Sequence, residues 1–132
     1  METAALHEAA ISFGVTPEDA LVAGPLVVSP EVACAAWLEG RPLSLTARQV
    51  RIIGLLVSAR GRLLSREALF EESTGRPHLE RSRAVDMDMW RIRAALGAYA
   101  PFLRSVRKVG WKLDVTALER ATYDAAASTT SP

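Results

Sequence analysis

A single cysteine, Cys34, excludes a disulfide within this 132-residue chain and fits a reducing compartment. No apolar run approaches the roughly 20 residues needed to span a bilayer. The N-terminus opens on Glu2 with no basic residue nearby, so neither a transmembrane helix nor a signal peptide is expected. The two histidines, His7 and His78, lie far apart with no ligand spacing around them, and no metal quartet, phosphate loop or nucleophile–base constellation can be found. Catalysis, metal and cofactor are therefore not expected. Lysine is nearly absent, with only Lys108 and Lys112 among sixteen cationic residues, and the first forty residues hold no Lys or Arg at all.

That last absence exposes a partition hidden by the net charge of +1. Residues 1–40 carry six acids and stand at −6, residues 41–113 carry fifteen cations against six acids and stand at +9, and the remainder adds −2. A +9 block suits a polyanionic partner, because each neutralised phosphate releases counterions. Thirteen of the fifteen cations are arginines, the better fork for phosphate and guanine edges. The length suits one domain with its own core, and the whole reads as a soluble, cytoplasmic protein.

Residues 2–13 have the spacing of a short amphipathic helix, with Leu6, Ala9, Ala10 and Phe13 on one side. From Ala20 the chain breaks into short apolar runs, Ala20–Ala23, Leu26–Val28, Ala33–Leu38 and Leu43–Leu45, separated by Gly24-Pro25, Ser29-Pro30 and Glu39-Gly40-Arg41-Pro42. These predict three or four antiparallel strands, although the alanine-rich stretch from Pro30 to Trp37 also permits a helix. Thr46-Ala-Arg-Gln49 matches a capping box and opens a helix with Val50, Ile53 and Val57 as its stripe, ending before Gly61. Ser65 opens a second, through Glu72, with Leu69 inward and Gly75 as its stop. Ser82 can cap a third that stops at Gly97, whose Val85, Met89, Ile92 and Leu96 make a buried stripe while Arg83, Met87, Trp90 and Arg91 face outward. Phe102–Val106 and Trp111–Val115 then read as a hairpin around Arg107-Lys108-Val109-Gly110. This predicts an N-terminal extension over 1–19, a domain over 20–115 and a flexible tail over 116–132.

Five motifs in this order resemble the OmpR/PhoB-type winged-helix DNA-binding domain of bacterial response regulators. They are Leu43-Ser-Leu-Thr46, Gly61-Arg-Leu-Leu-Ser-Arg66, Arg83-Ala-Val-Asp86, Arg91-Ile-Arg93 with Leu96, and Ser105-Val-Arg107 through Val109-Gly-Trp111, spread over roughly residues 20–114. The resemblance implies an α+β winged helix-turn-helix: an N-terminal antiparallel sheet, three helices and a C-terminal β-hairpin wing. The third helix is expected in the major groove of double-stranded DNA and the wing on the minor groove or backbone. Arg91 is expected to reach a base edge or phosphate, and Arg107 to be the wing arginine in the minor groove. The expected DNA-binding residues are Arg66, Arg83, Met87, Trp90, Arg91, Arg93, Ser105, Arg107, Lys108 and Lys112. RNA polymerase at the Gly75–Arg81 loop and a homodimer on DNA are further expected partners. The forty residues ahead of the first helix lack the lysine and clustered aspartates of a phosphoacceptor, so a receiver is not expected within this chain.

Two positions sharpen the reading. Asp88 is expected to set a second anion beside Asp86 at the DNA face, where an unpaired carboxylate opposes binding. Trp90 stands where the family usually carries a basic residue; it either meets sugar or thymine methyls, docks a protein, or folds down onto the wing. A rival function uses Trp90 with Asp86 and Asp88 to bind RNA polymerase or a partner regulator, and a weaker one is an accessory domain split from an enzyme.

Overall fold

The computed structural model describes residues 16–78 and 83–121. The chain enters through a 3₁₀ turn at Pro17–Asp19 and then forms a four-stranded antiparallel sheet in chain order: β1 (Leu21–Ala23), β2 (Leu26–Ser29), β3 (Ala35–Leu38) and β4 (Arg41–Pro42). Its turns have the chemistry that tight hairpins demand. Gly24 has φ 58° at the first position of the β1–β2 turn, and Glu39 and Gly40 both have positive φ in the two-residue β3–β4 turn, as a type I′ hairpin requires.

The alternative helix over Pro30–Trp37 does not form. Cys34 sits at φ 48°, which breaks any helix, and β3 instead pairs with β2 so that Trp37 lies opposite Val27. The fourth strand falls at Arg41–Pro42, ahead of the expected Leu43–Leu45. Leu43 N–H still donates to the Ala36 carbonyl, but Leu45 N–H turns back to the Leu43 carbonyl and steers the chain into the first helix. Pro42, with no N–H to donate, is tolerable because β4 is an edge.

Three helices follow: α1 (Ala47–Ser58), α2 (Arg66–Thr74) and α3 (Ala84–Leu96). Thr46 and Gln49 make the full capping box of α1, Ser65 caps α2 through the Ala68 N–H, and Gly75 ends α2 in the left-handed conformation. Ser82, expected to cap α3, lies outside the described residues; the N-cap position is Arg83, without a side-chain cap. Val85, Met89, Ile92 and Leu96 are all buried, as their spacing predicts, and join Leu69, Ile52, Ile53 and Leu56 in one core under the sheet. On the other sheet face Val27 and Trp37 form a small second cluster with Ala20, Val22, Ala33 and Ala35.

A 3₁₀ segment (Gly97–Phe102) leads into the hairpin of β5 (Leu103–Val106) and β6 (Gly110–Leu113). The hairpin does not stand free. Leu64 and Trp111 exchange backbone hydrogen bonds, both 2.8 Å, so the segment before α2 becomes a third short partner of the wing. Two expectations fail at the C-terminal end. Val115 is helical and not the end of a strand, and the segment assigned to a flexible tail from residue 116 continues that helix through residue 121. Asp114 starts it, accepting from the Ala117 N–H, and Val115 and Leu118 are buried in the main core. The short helix expected over 2–13 lies outside the described residues.

Candidate nucleic-acid interface

The apolar stripe of α3 decides what its opposite side presents. With 3.6 residues per turn, burial of 85, 89, 92 and 96 turns 83, 87, 90 and 91 outward together. Arg83 and Arg91 are exposed and make no ion pair among the described residues. Met87 is 66% exposed and Trp90 67%, the two most exposed large apolar side chains among the described residues. Trp90 therefore does not fold onto the wing. The indole that packs there belongs to Trp111, with the Arg93 guanidinium 5.5 Å from its ring centre.

Asp88 corrects the expectation made for it. It is 2% exposed and points into the junction with α1, where Arg48 Nε donates to Oδ2 at 2.6 Å and Arg48 Nη2 and Gln49 Nε2 both donate to Oδ1 at 3.1 Å. The hydrogen bonds to Asp88 raise the Arg48 pKa further above its already high value. A carboxylate answered by three N–H donors is a structural anchor, and it contributes no anion to the α3 surface. Gln49 thus serves twice, closing the α1 cap and bracing α3. Nothing local in the sequence marks Arg48 or Gln49 for this role, since the pairing spans forty residues.

Asp86 is answered too. Arg66, at the start of α2, donates to its Oδ1 from Nε at 3.2 Å and Nη2 at 3.1 Å. Arg66, expected to meet DNA, is half engaged by this pair, and an exposed pair of this kind is worth about 0–1 kcal/mol. Arg93 is committed elsewhere. Its Nη2 donates to the Leu103 carbonyl at 2.6 Å while its guanidinium lies against Trp111, so it fastens the far half of α3 to the wing.

The wing carries Arg104, Ser105, Arg107 and Lys108 exposed, and Lys112 half-buried. At its tip Val109 N–H donates to the Val106 carbonyl, with Lys108 at φ 65° in the position that favours glycine. Arg66 and Glu67 line a groove of about 460 Å³ together with Ser105, Arg107, Lys108 and Val109. Arg66 therefore touches Asp86 of α3 on one side and lines the wing groove beside Arg107 and Lys108 on the other. Among the described residues no His/Cys/Asp/Glu group could hold a metal, and no helix is long and apolar enough to cross a membrane.

The family described as "Transcriptional regulatory protein, C terminal" matches residues 40–113. It is a family of transcriptional regulators, not of enzymes. A segment of 79 residues is 32% identical to transcriptional regulatory protein QseB of Haemophilus influenzae, covering 60% of this chain and 35% of that protein. The chain thus spans about a third of the length of that relative. Among solved structures, the DNA-binding domain of CpxR from E. coli superposes with a TM-score of 0.64 at 27% identity, covering 71% of this chain and 94% of that one. The DNA-binding domain of RstA from Klebsiella pneumoniae, solved in complex with the RstA box, gives 0.62 at 23% identity over 73% of this chain and 97% of that one, a likeness of fold alone.

Proposed function

The chain belongs to the transcriptional-regulatory-protein C-terminal family, the OmpR/PhoB-type winged-helix DNA-binding domain of response regulators, and from that premise we propose that it binds specific double-stranded DNA with α3 in the major groove and the wing on the minor groove or backbone. The observation that carries the proposal is the outward face of α3. Two arginines with no ion pair among the described residues flank two exposed apolar side chains, and both acids of the helix are satisfied from within the protein. In this reading Arg91 and Arg83 reach base edges or phosphates, Arg107 enters the minor groove, and Lys108, Lys112 and Ser105 hold the backbone. Arg66 and Arg93 mainly position α3 and the wing relative to each other.

The far end of α2 lies about 13 Å from its start at 1.5 Å per residue, away from this surface. Arg76 and Pro77 are exposed there, after Gly75, and are free to face RNA polymerase while DNA is bound. Pairing of two copies on DNA would register as a two-to-one stoichiometry. The rival reading, a winged helix turned to protein binding through Trp90, Asp86 and Asp88, loses support because Asp88 is buried and Asp86 is paired.

The test is a salt titration on a duplex enriched from a random library by the 132-residue chain. Roughly six phosphate contacts should make affinity fall on the order of a thousandfold between about 50 and 200 mM salt. A log-log slope near zero, or no enrichment at all, rules this function out.

A further inference from the structure

Resting on that placement of α3, we infer that Met87 and Trp90 read the C5-methyl groups of thymines, so that the bound site is defined by closely spaced thymines beside arginine-read guanines. Each base offers a distinct chemistry in the major groove. Adenine is best met by Asn or Gln, cytosine by an acidic acceptor, guanine by Arg, and thymine by an apolar side chain against its methyl. Residues 84–96 contain no Asn, Gln, Ser or Thr. Their two acids are already used, Asp88 by Arg48 and Gln49, and Asp86 by Arg66. The outward side of α3 is left with guanidinium groups at 83 and 91, and apolar surface at 87 and 90.

Met87 and Trp90 stand one above the other at i and i+3. Their separation along the axis is about 4.5 Å at 1.5 Å per residue, and neighbouring bases of one strand are about 3.4 Å apart. The pair therefore spans thymines on adjacent or next-adjacent steps. The charge around it selects the partner. Exposed arginines flank the pair, and the groove toward the wing carries Arg107 and Lys108, so the patch is built for a polyanion and not for an apolar protein surface alone.

Replacing thymine by deoxyuridine removes only the methyl group and keeps the base pair. In duplexes enriched by the 132-residue chain, each thymine is exchanged singly and affinity is measured for the wild type, Met87→Ala and Trp90→Ala, with thermal melting to confirm that the variants fold. One or two positions should lose about fourfold in the wild type, the ratio for one buried methyl-sized group. At each such position the loss should vanish in one of the two variants. Enrichment with every deoxyuridine exchange silent overturns the inference and leaves DNA binding standing. A loss that persists in both variants also overturns it, by assigning the methyl to another residue. Failure of any duplex to enrich removes the underlying function instead. Unchanged DNA affinity in Trp90→Ala, with deoxyuridine silent, returns the indole to a protein partner.

Discussion

Asp86 and Asp88 sit two residues apart on α3 and have opposite fates, because two steps of a helix turn a side chain by about 200°. Asp86 stays at the surface against Arg66, whereas Asp88 enters the α1 junction and binds Arg48 and Gln49. Removing each should separate the two roles. Asp88→Ala leaves the buried Gln49 amide without its acceptor and should cost about 1–3 kcal/mol of stability. The Arg48 side chain is 41% exposed and can turn to water, which keeps the loss below that of a fully buried pair. Asp86→Ala should stay within about 0.5 kcal/mol. Urea unfolding of the two variants decides, and equal losses would contradict the anchor role of Asp88. The outward set Arg83, Met87, Trp90 and Arg91 was legible from the spacing of the apolar stripe alone. The inward turn of Asp88 was not, because a charged residue beside such a stripe is buried only when a partner arrives from another helix.

At the scale of elements, the wing is held as firmly by what lies outside the hairpin as by its own strands. Trp111 exchanges hydrogen bonds with Leu64, Arg93 holds the Leu103 carbonyl, and the close approach of the loop before α2 leaves no room at Gly110. A Cβ added there would lie 2.0 Å from the Leu64 carbonyl oxygen. Gly110→Ala must push backbone from backbone, and should lower stability by roughly 2–3 kcal/mol. A shift in melting temperature on the order of 10 °C is expected, by the usual relation for a domain of this size. Thermal unfolding checks it, and a neutral Gly110→Ala would mean that the Leu64 contact is dispensable. The motif Val109-Gly-Trp111 signals the wing in the sequence, but the glycine's reason lies in a segment more than forty residues earlier.

The whole molecule extends further than its local patterns indicate. Residues 115–121 carry only Val115 and Leu118 as large apolar side chains, too few for a helix of that length to hold by itself. Both are nevertheless buried with Leu96, Leu103 and Leu113, and Arg60 reaches Glu119 at 3.1 Å from the end of α1. Residues 115–121 therefore belong to the core of the domain. Leu118→Ala should cost about 2–5 kcal/mol, as for other buried leucines. Denaturant unfolding gives the measurement, and a cost under about 0.5 kcal/mol, the level of an ordinary surface substitution, would return the segment to the status of a tail.

Local chemistry in the sequence determined the elements that depend on their own residues. The capping box at Thr46, the cap at Ser65 and the stop at Gly75 are satisfied within a few residues, so neighbours alone dictate them, and the periodicity of the α3 stripe marks its buried side before any partner is known. Tertiary structure decided whatever needed a partner from elsewhere in the chain. The choice of strand over helix before Trp37 came from β2, the burial of Asp88 from α1, the diversion of Arg93 and Arg66 from the wing and α3, and the retention of the last helix from the core. In each case the deciding energy is a contact across a long loop, which gains its value only once the rest of the fold has brought the two sides together.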